Sequence, residues 1–246
     1  MIDRMAAGLT DWLFPRRCPV CGRIVEPKGD LICPGCVSRL APVEPPTCLK
    51  CGKEIHGEQA EYCLDCVRHK RTFDSGAALL NYNEAARHSL AAVKYKNKRE
   101  YLDFYSAAMA YRYRKLVFSW KADVLVPVPV HPSRRRRRGY NQAEELARRL
   151  SREWGILMED QLLIRSRKTA PQRDLNPQER LRNLQEAFRL HPRYQAGEMK
   201  ERLPQCVVLV DDIYTTGSTI EACSRVLREA GIPRIHFLAV CIGYGR

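Results

Sequence analysis

At 246 residues, 45% of them hydrophobic, the chain has room for one domain of ordinary size and a smaller one, with enough apolar content for a real core. Lysine and arginine number 42 against 28 aspartates and glutamates, a formal charge of +14, and after residue 70 the count is 32 against 19. Such a balance suits polyanionic partners (phosphates, nucleic acid, acidic headgroups), with a merely solvated basic surface as the plain alternative. No apolar run approaches the roughly 18 residues that span a bilayer.

Asp3 and Asp11, with no small-residue cleavage site, argue against a signal peptide, so a cytoplasmic chain is expected, with Trp12, Leu13 and Phe14 packing the N-terminus onto the body. Eight of the 11 cysteines then form four C-x-x-C pairs, Cys18/Cys21, Cys33/Cys36, Cys48/Cys51 and Cys63/Cys66, recurring every 15 residues. Two thiolates so spaced bend around one tetrahedral Zn²⁺ at about 2.3 Å, and a second pair closes a structural site with no position left for chemistry. Two structural zinc ions are expected. Glycine follows the first and third pairs, at Gly22 and Gly52, and this alternation predicts sequential ribbons, Cys18/Cys21/Cys33/Cys36 and Cys48/Cys51/Cys63/Cys66. Spacing alone leaves a cross-brace open. Disulfides are disfavoured in a cytosolic chain. A region with Pro27, Pro34, Pro42, Pro45 and Pro46 and few large apolar residues would take its folding energy from metal, so residues 1–70 are expected to be a double zinc ribbon and 71–246 the larger domain.

Beyond residue 70 the patterning alternates between strand and helix. Residues 73–82 predict a strand and 84–95 a helix, with Lys94, Lys96, Lys98 and Arg99 as a basic run at its end. Residues 101–117 predict a second helix, with Leu102, Tyr105, Ala108, Met109 and Leu116 turned inward. D-V-L-V-P-V-P-V reads as a strand with Pro127 and Pro129 at its end, because each removes a ladder donor. A helix over 141–154, stopped by Gly155, closes that unit. Arg134, Arg135, Arg136, Arg137 and Arg138 therefore fall on a loop at the carboxyl edge of the sheet, where open α/β sheets bind ligands. Arg137 and Arg138, nearest the helix, suit a pyrophosphate through the guanidinium fork, and the others suit nucleic acid. A disordered localisation tag is the alternative. The basic stretch 165–190 reads either as a flap, with Thr169, Gln172 and Arg180 as contacts, or as a solvated connector.

The stretch V-V-L-V-D-D-I-Y-T-T-G-S-T, residues 207–219, combines a doubly buried strand, two carboxylates and a hydroxyl-rich turn before a helix over 219–230. Thr215, Thr216, Gly217, Ser218 and Thr219 are expected to offer backbone N–H groups, hydroxyls and the positive end of the helix dipole to a phosphate. Asp211 and Asp212 would repel phosphate, so they suit sugar hydroxyls or a divalent cation. The 34 residues after the acids are too few for a phosphoreceiver fold, and no Gly-Lys-Ser/Thr of a Walker loop occurs. Residues 234–242 predict a last strand. Cys206, Cys223 and Cys241 read as small buried hydrophobes.

This final motif resembles the phosphoribosyl-pyrophosphate (PRPP) motif of type I phosphoribosyltransferases. The resemblance implies an α/β fold, a parallel sheet flanked by helices, with Asp211 and Asp212 on the ribose hydroxyls, residues 215–219 on the 5′-phosphate and Mg²⁺ on the pyrophosphate. Together with C-P-V-C-G, V-P-V-P-V-H-P-S-R-R-R-R-R-G-Y-N-Q and T-A-P-Q-R-D-L-N-P-Q-E-R-L-R-N, in that order, it resembles the ComF family of competence proteins over nearly the whole chain. Eight cysteines depart from the single-ribbon form of some members. The resemblance implies a protein that binds PRPP or a related sugar phosphate and assists single-stranded DNA uptake in natural transformation, with a ComFA-type helicase as the candidate partner; beside the cytoplasmic expectation, a peripheral place at the inner face of the membrane stays open. Two alternatives stay open: an active phosphoribosyltransferase on an unknown base or amine, and a nucleic-acid-binding module with a vestigial sugar-phosphate site. No residue stands out as a general base.

Overall fold

The computed structural model describes residues 15–55, 60–165 and 187–243. The apolar runs that the pattern marks as doubly buried strands lie side by side and parallel. They are β1 (Ser75–Asn81), β2 (Val124–Pro127), β3 (Leu157–Met158), β6 (Cys206–Tyr214) and β7 (Arg234–Ile242), in the order β1-β7-β6-β2-β3. A separate antiparallel pair joins β4 (Leu163–Arg165) to β5 (Phe188–Leu190). Helices α1 (Pro34–Val37) and α2 (Leu64–Arg68) belong to the cysteine-rich region. Then come α3 (Glu84–Tyr95), α4 (Tyr101–Ser119), α5 (Pro132–Arg138), α6 (Gln142–Trp154), α7 (Glu198–Glu201) and α8 (Ser218–Glu229).

Successive side chains of a strand point to opposite faces, so each strand feeds two cores. Leu125, Cys206, Val208, Val210, Leu238 and Val240 join one, covered by α3, α4 and α6. Val124, Val126, Val207, Leu209, Ile235, Phe237 and Ala239 join the other, covered by α8 and the β4–β5 pair. The cysteine clusters divide the same way: Cys18 and Cys36 pack into the first core, Cys48, Cys51 and Cys63 into the second. The segment joining the two clusters crosses the outer side of β1, where Val43 N–H donates to Leu79 O (3.1 Å) and Asn81 N–H to Ala41 O (2.7 Å), an antiparallel contact along that edge.

The helix over 84–95 and the strand over 234–242 form with the predicted bounds. Asn141 caps α6 by accepting from Ala143 N–H, and Gly155 ends it in the left-handed region at φ 68°. Cys206, Cys223 and Cys241 are fully buried, as small hydrophobes. Three expectations need correction. Arg134–Arg138 lie on helix α5 and not on a loop, because Pro132 occupies the first helical position, the His131 side chain accepts from Ser133 N–H as N-cap, and Gly139 closes the end at φ 79°. Strand β6 continues through both acids to Tyr214, since Asp211, Ile213 and Tyr214 stay in register with β7, so the loop shrinks to 215–217 and Ser218 and Thr219 open α8. In α4, Ala108 and Leu116 are only half-buried, the inner stripe being completed by Tyr113 and Val117. Thr169, Gln172 and Arg180, like Trp12, Leu13 and Phe14, lie outside the described residues.

Candidate functional site

The chain leaves β2 toward β3 through α6 and leaves β6 toward β7 through α8, in opposite directions along the sheet and over opposite faces. Diverging connections open a crevice at the carboxyl ends of β2 and β6, the switch point at which such sheets hold ligands. A cavity of about 380 Å³ lies there. Asp211, Asp212, Thr215 and Thr219 form part of its wall, and Lys94, Arg134, Arg137, Arg138 and Arg165 form another. A smaller cavity of about 30 Å³ adjoins it under the loop, lined by Thr215, Thr216, Gly217, Ser218 and Thr219.

Because β6 carries the acids, the pleat splits them. Asp212 continues the Val208–Val210 row toward α3, where it accepts from Lys94 Nζ at 2.7 Å with both side chains largely buried. Burial disfavours the Lys94 ammonium, but Asp212 more than compensates and holds its pKa above the ordinary value. Asp211 continues the opposite row, and its Oδ1 accepts from Asp212 N–H at 2.8 Å. Desolvation, with the Asp212 carboxylate beside it, pushes Asp211 up to about 8. A carboxylate so unfavourably placed gains from any ligand that brings it hydroxyl donors or positive charge.

A helix turns about 100° per residue, so α5 sorts five identical side chains by position. Arg134, Arg137 and Arg138, spaced i, i+3 and i+4, line the cavity, while Arg135 turns away to pair with Glu144 at 3.1 Å, and Arg136 is exposed. Arg138 donates to Gln142 Oε1 at 3.1 Å and lies over the Tyr95 ring at 5.1 Å, yet its buried Nε and the buried Gln142 Nε2 have no hydrogen-bond partner. Both line the cavity, and buried donors of this kind favour an anion. Arg165 sits over Phe188 at 5.1 Å; burial and the neighbouring Arg134 pull its pKa below the usual value. Packing guanidiniums together is costly unless negative charge enters between them.

On the other side the loop is held open for close approach. Gly217 has φ 75°, and any Cβ there would collide with the Tyr214 hydroxyl, so only glycine fits. Thr216 Oγ1 and Ser218 Oγ lie 2.8 Å apart, and both line the smaller cavity. Lys94, Arg165, Gln142 and Tyr95 were not anticipated as site residues. Lys94 belongs to a basic run that marks nothing by itself, and its pairing with Asp212 spans 118 residues of sequence. Gln142 carried a signal, as the first residue of a helix opening at the carboxyl edge.

The eight ribbon cysteines gather in the sequential arrangement. In each group of four, Cys18/Cys21/Cys33/Cys36 and Cys48/Cys51/Cys63/Cys66, all sulfurs lie within 4.8 Å of one another, and none of the eight is in a disulfide. Cys21 and Cys33 Sγ are 4.0 Å apart, Cys51 and Cys63 Sγ 3.6 Å, against about 3.8 Å for the edge of a tetrahedron of thiolates about 2.3 Å from zinc. Four thiolates this close need a cation among them, and both groups fit structural zinc.

A family model described as a double zinc ribbon domain matches residues 9–67. Competence protein F of Haemophilus influenzae is 31% identical over 227 residues, 90% of this chain and 95% of that protein. DNA utilization protein YhgH of Salmonella typhimurium is 28% identical over 244 residues (97% and 94%), and competence protein ComFC of Bacillus subtilis 27% over 211 residues (81% and 79%).

Proposed function

The chain belongs to the ComF family of competence proteins, and on that footing we propose that it is a PRPP-binding, phosphoribosyltransferase-like protein that assists the handling of single-stranded DNA during uptake. One observation carries the reading: a single cavity of about 380 Å³ faces an acid pair and a hydroxyl-rich turn with Lys94, Arg134, Arg137, Arg138 and Arg165. Its volume suits a small ligand, which such sites hold in about 300–1,000 Å³. A phosphorylated ribose divides along the same line, its 5′-phosphate to residues 215–219, its diol to Asp211 and Asp212, its pyrophosphate to the arginines. Magnesium would accompany the pyrophosphate and offset part of its charge.

Lys94 pairs with Asp212, so ligand hydroxyls would share that carboxylate with the ammonium. Arg135 and Arg136, turned outward from α5, extend the positive surface beyond the cavity, and an exposed guanidinium suits the backbone of a nucleic-acid strand. The printed names of the relatives, competence protein and DNA utilization protein, support that DNA role. With it go the expectations of a ComFA-type helicase as partner and a cytoplasmic place at the inner face of the membrane; among the described residues, no helix is long and apolar enough to cross one.

A second reading, transfer of the phosphoribosyl group to a base or amine, is favoured by Tyr95. Its ring is 65% exposed at the cavity with Arg138 over one face, a platform for a flat acceptor. In that reaction the bond from C1 to the pyrophosphate breaks, positive charge develops at C1, and Arg137 and Arg138 stabilise the departing anion.

Calorimetry of the zinc-loaded protein with PRPP and Mg²⁺ tests the first reading. Binding is expected, with Asp212→Asn and the Arg137→Ala/Arg138→Ala double variant each weaker by at least about tenfold, about 1.4 kcal/mol. Single-stranded DNA affinity should fall steeply with salt. Wild-type protein that takes up no PRPP overturns the reading.

A further inference from the structure

The residues that follow the second cysteine cluster are bolted to the candidate phosphate loop. Arg71 Nη2 donates to the backbone oxygen of Thr216 at 3.0 Å. One residue on, Thr72 gives its N–H (2.8 Å) and its hydroxyl (2.6 Å) to the two carboxylate oxygens of Glu221, a buried side chain in the first turn of α8. Phe73, fully buried, meets the rings of Tyr214 (6.4 Å) and Phe237 (5.1 Å) edge-on, and Tyr214 stacks on Phe237 at 4.7 Å. The Tyr214 hydroxyl lies against Gly217. Gly52, the knuckle of that ribbon, sits so close to β1 that a Cβ would come within 2.6 Å of Gly76 O and 2.8 Å of Ala77 Cα. The first ribbon is tied elsewhere, to α4 through Arg16 and Asp103 at 2.7 Å.

A peptide unit is planar and trans, so its carbonyl and the next N–H point in opposite directions. Fixing the Thr216 carbonyl on Arg71 therefore aims the Gly217 N–H away from Arg71, and Gly217 lines the small cavity under the loop. We propose that the strap leaving the second ribbon, Arg71, Thr72 and Phe73, is the frame that positions the phosphate loop, and that the first ribbon plays no part in it. Arg71 is a positioning residue here: it acts through the loop backbone and need not touch the ligand. The inference rests on the sugar-phosphate reading of the site and assigns the support of that site's phosphate end to the strap that follows the second ribbon.

The test uses full-length, zinc-loaded protein and two probes, ribose 5-phosphate for the loop and inorganic pyrophosphate for the arginine wall. Arg71→Ala is expected to weaken ribose 5-phosphate about tenfold and to leave pyrophosphate within about twofold, a split that general structural damage would not produce. Cys21→Ser, in the first ribbon, should change neither probe. Hydrogen exchange of the amides of 215–219 should quicken in Arg71→Ala and not in Cys21→Ser, a readout that needs no ligand. Unchanged ribose 5-phosphate affinity in Arg71→Ala, an equal loss of both probes, or unchanged amide exchange overturns the frame. Wild-type protein that ignores both probes overturns the sugar-phosphate reading instead, and the exchange measurement still decides whether the loop depends on Arg71.

Discussion

The two ribbons share one spacing and differ in almost everything around it. In the first, Cys18 and Cys36 are buried against the core under α4 while Cys21 and Cys33 stay partly exposed, Gly22 has open space over it, and the ion pair to α4 joins partners about one-third exposed. In the second, Cys48, Cys51 and Cys63 are buried, Gly52 presses on the backbone of β1, and Lys53, 4% exposed, spends its charge on Asp65 at 2.8 Å. A repeat in sequence thus becomes two modules packed on different cores, and only the knuckle of the second presses on the backbone of β1. The metal ligands cannot reveal this, because the distinction lies in what the knuckle touches.

The largest expected effect comes from adding one methyl group at the matched glycines. Gly22→Ala meets only the left-handed backbone, which costs about 1–2 kcal/mol, whereas Gly52→Ala must also displace a central-domain strand and should cost about 3 kcal/mol or more by denaturant unfolding. Equal losses would erase the asymmetry. Next is Asp65→Asn, which leaves a buried ammonium without its partner and should cost about 1–3 kcal/mol at pH 7. The hydrogen bond from Lys53 holds the Asp65 pKa below its unfolded value, so its contribution is present above about pH 4 and is lost as pH falls through the folded value. The difference between wild type and Asp65→Asn should accordingly hold at pH 7 and start to narrow only below about pH 4, which a series of melts at falling pH would follow. A chelator should release two equivalents of zinc in two phases, a fast one from the group in which Cys21 and Cys33 are accessible and a slow one from the group in which Cys48, Cys51 and Cys63 are buried; Cys21→Ser should abolish the fast phase alone. The smallest effect is that of Arg16→Ala, a partly exposed pair that should contribute less than about 1 kcal/mol.

Much of this was legible in the sequence where a local pattern repeats. Leu90 and Val93 at helical spacing, the unbroken apolar run of β7 and the alternation of Gly22 with Gly52 each name their own structure. Helix α5 was also encoded, by Pro132 and Gly139 at its ends, but five adjacent charges read as solvated loop until the caps are weighed. What could not be read is what the fold assembles from afar. Lys94 on Asp212, Arg71 on Thr216 and Arg165 beside Arg134 join residues more than 30 positions apart, and nothing in their neighbours' identity foretells the meeting. The separation of Asp211 from Asp212 depends on a single fact, that β6 runs four residues further than its apolar stretch.

The segment at 41–43 that runs along β1 has a practical side. At the opposite border of the sheet, β3 is only two residues long and offers little to a visiting strand, so it is the cysteine-rich arm that seals the longer margin. A shortened protein starting at residue 71 would keep the cavity's cations and acids but bare the amides and carbonyls of Leu79 and Asn81, and purification of such a fragment should yield oligomers that grow with concentration.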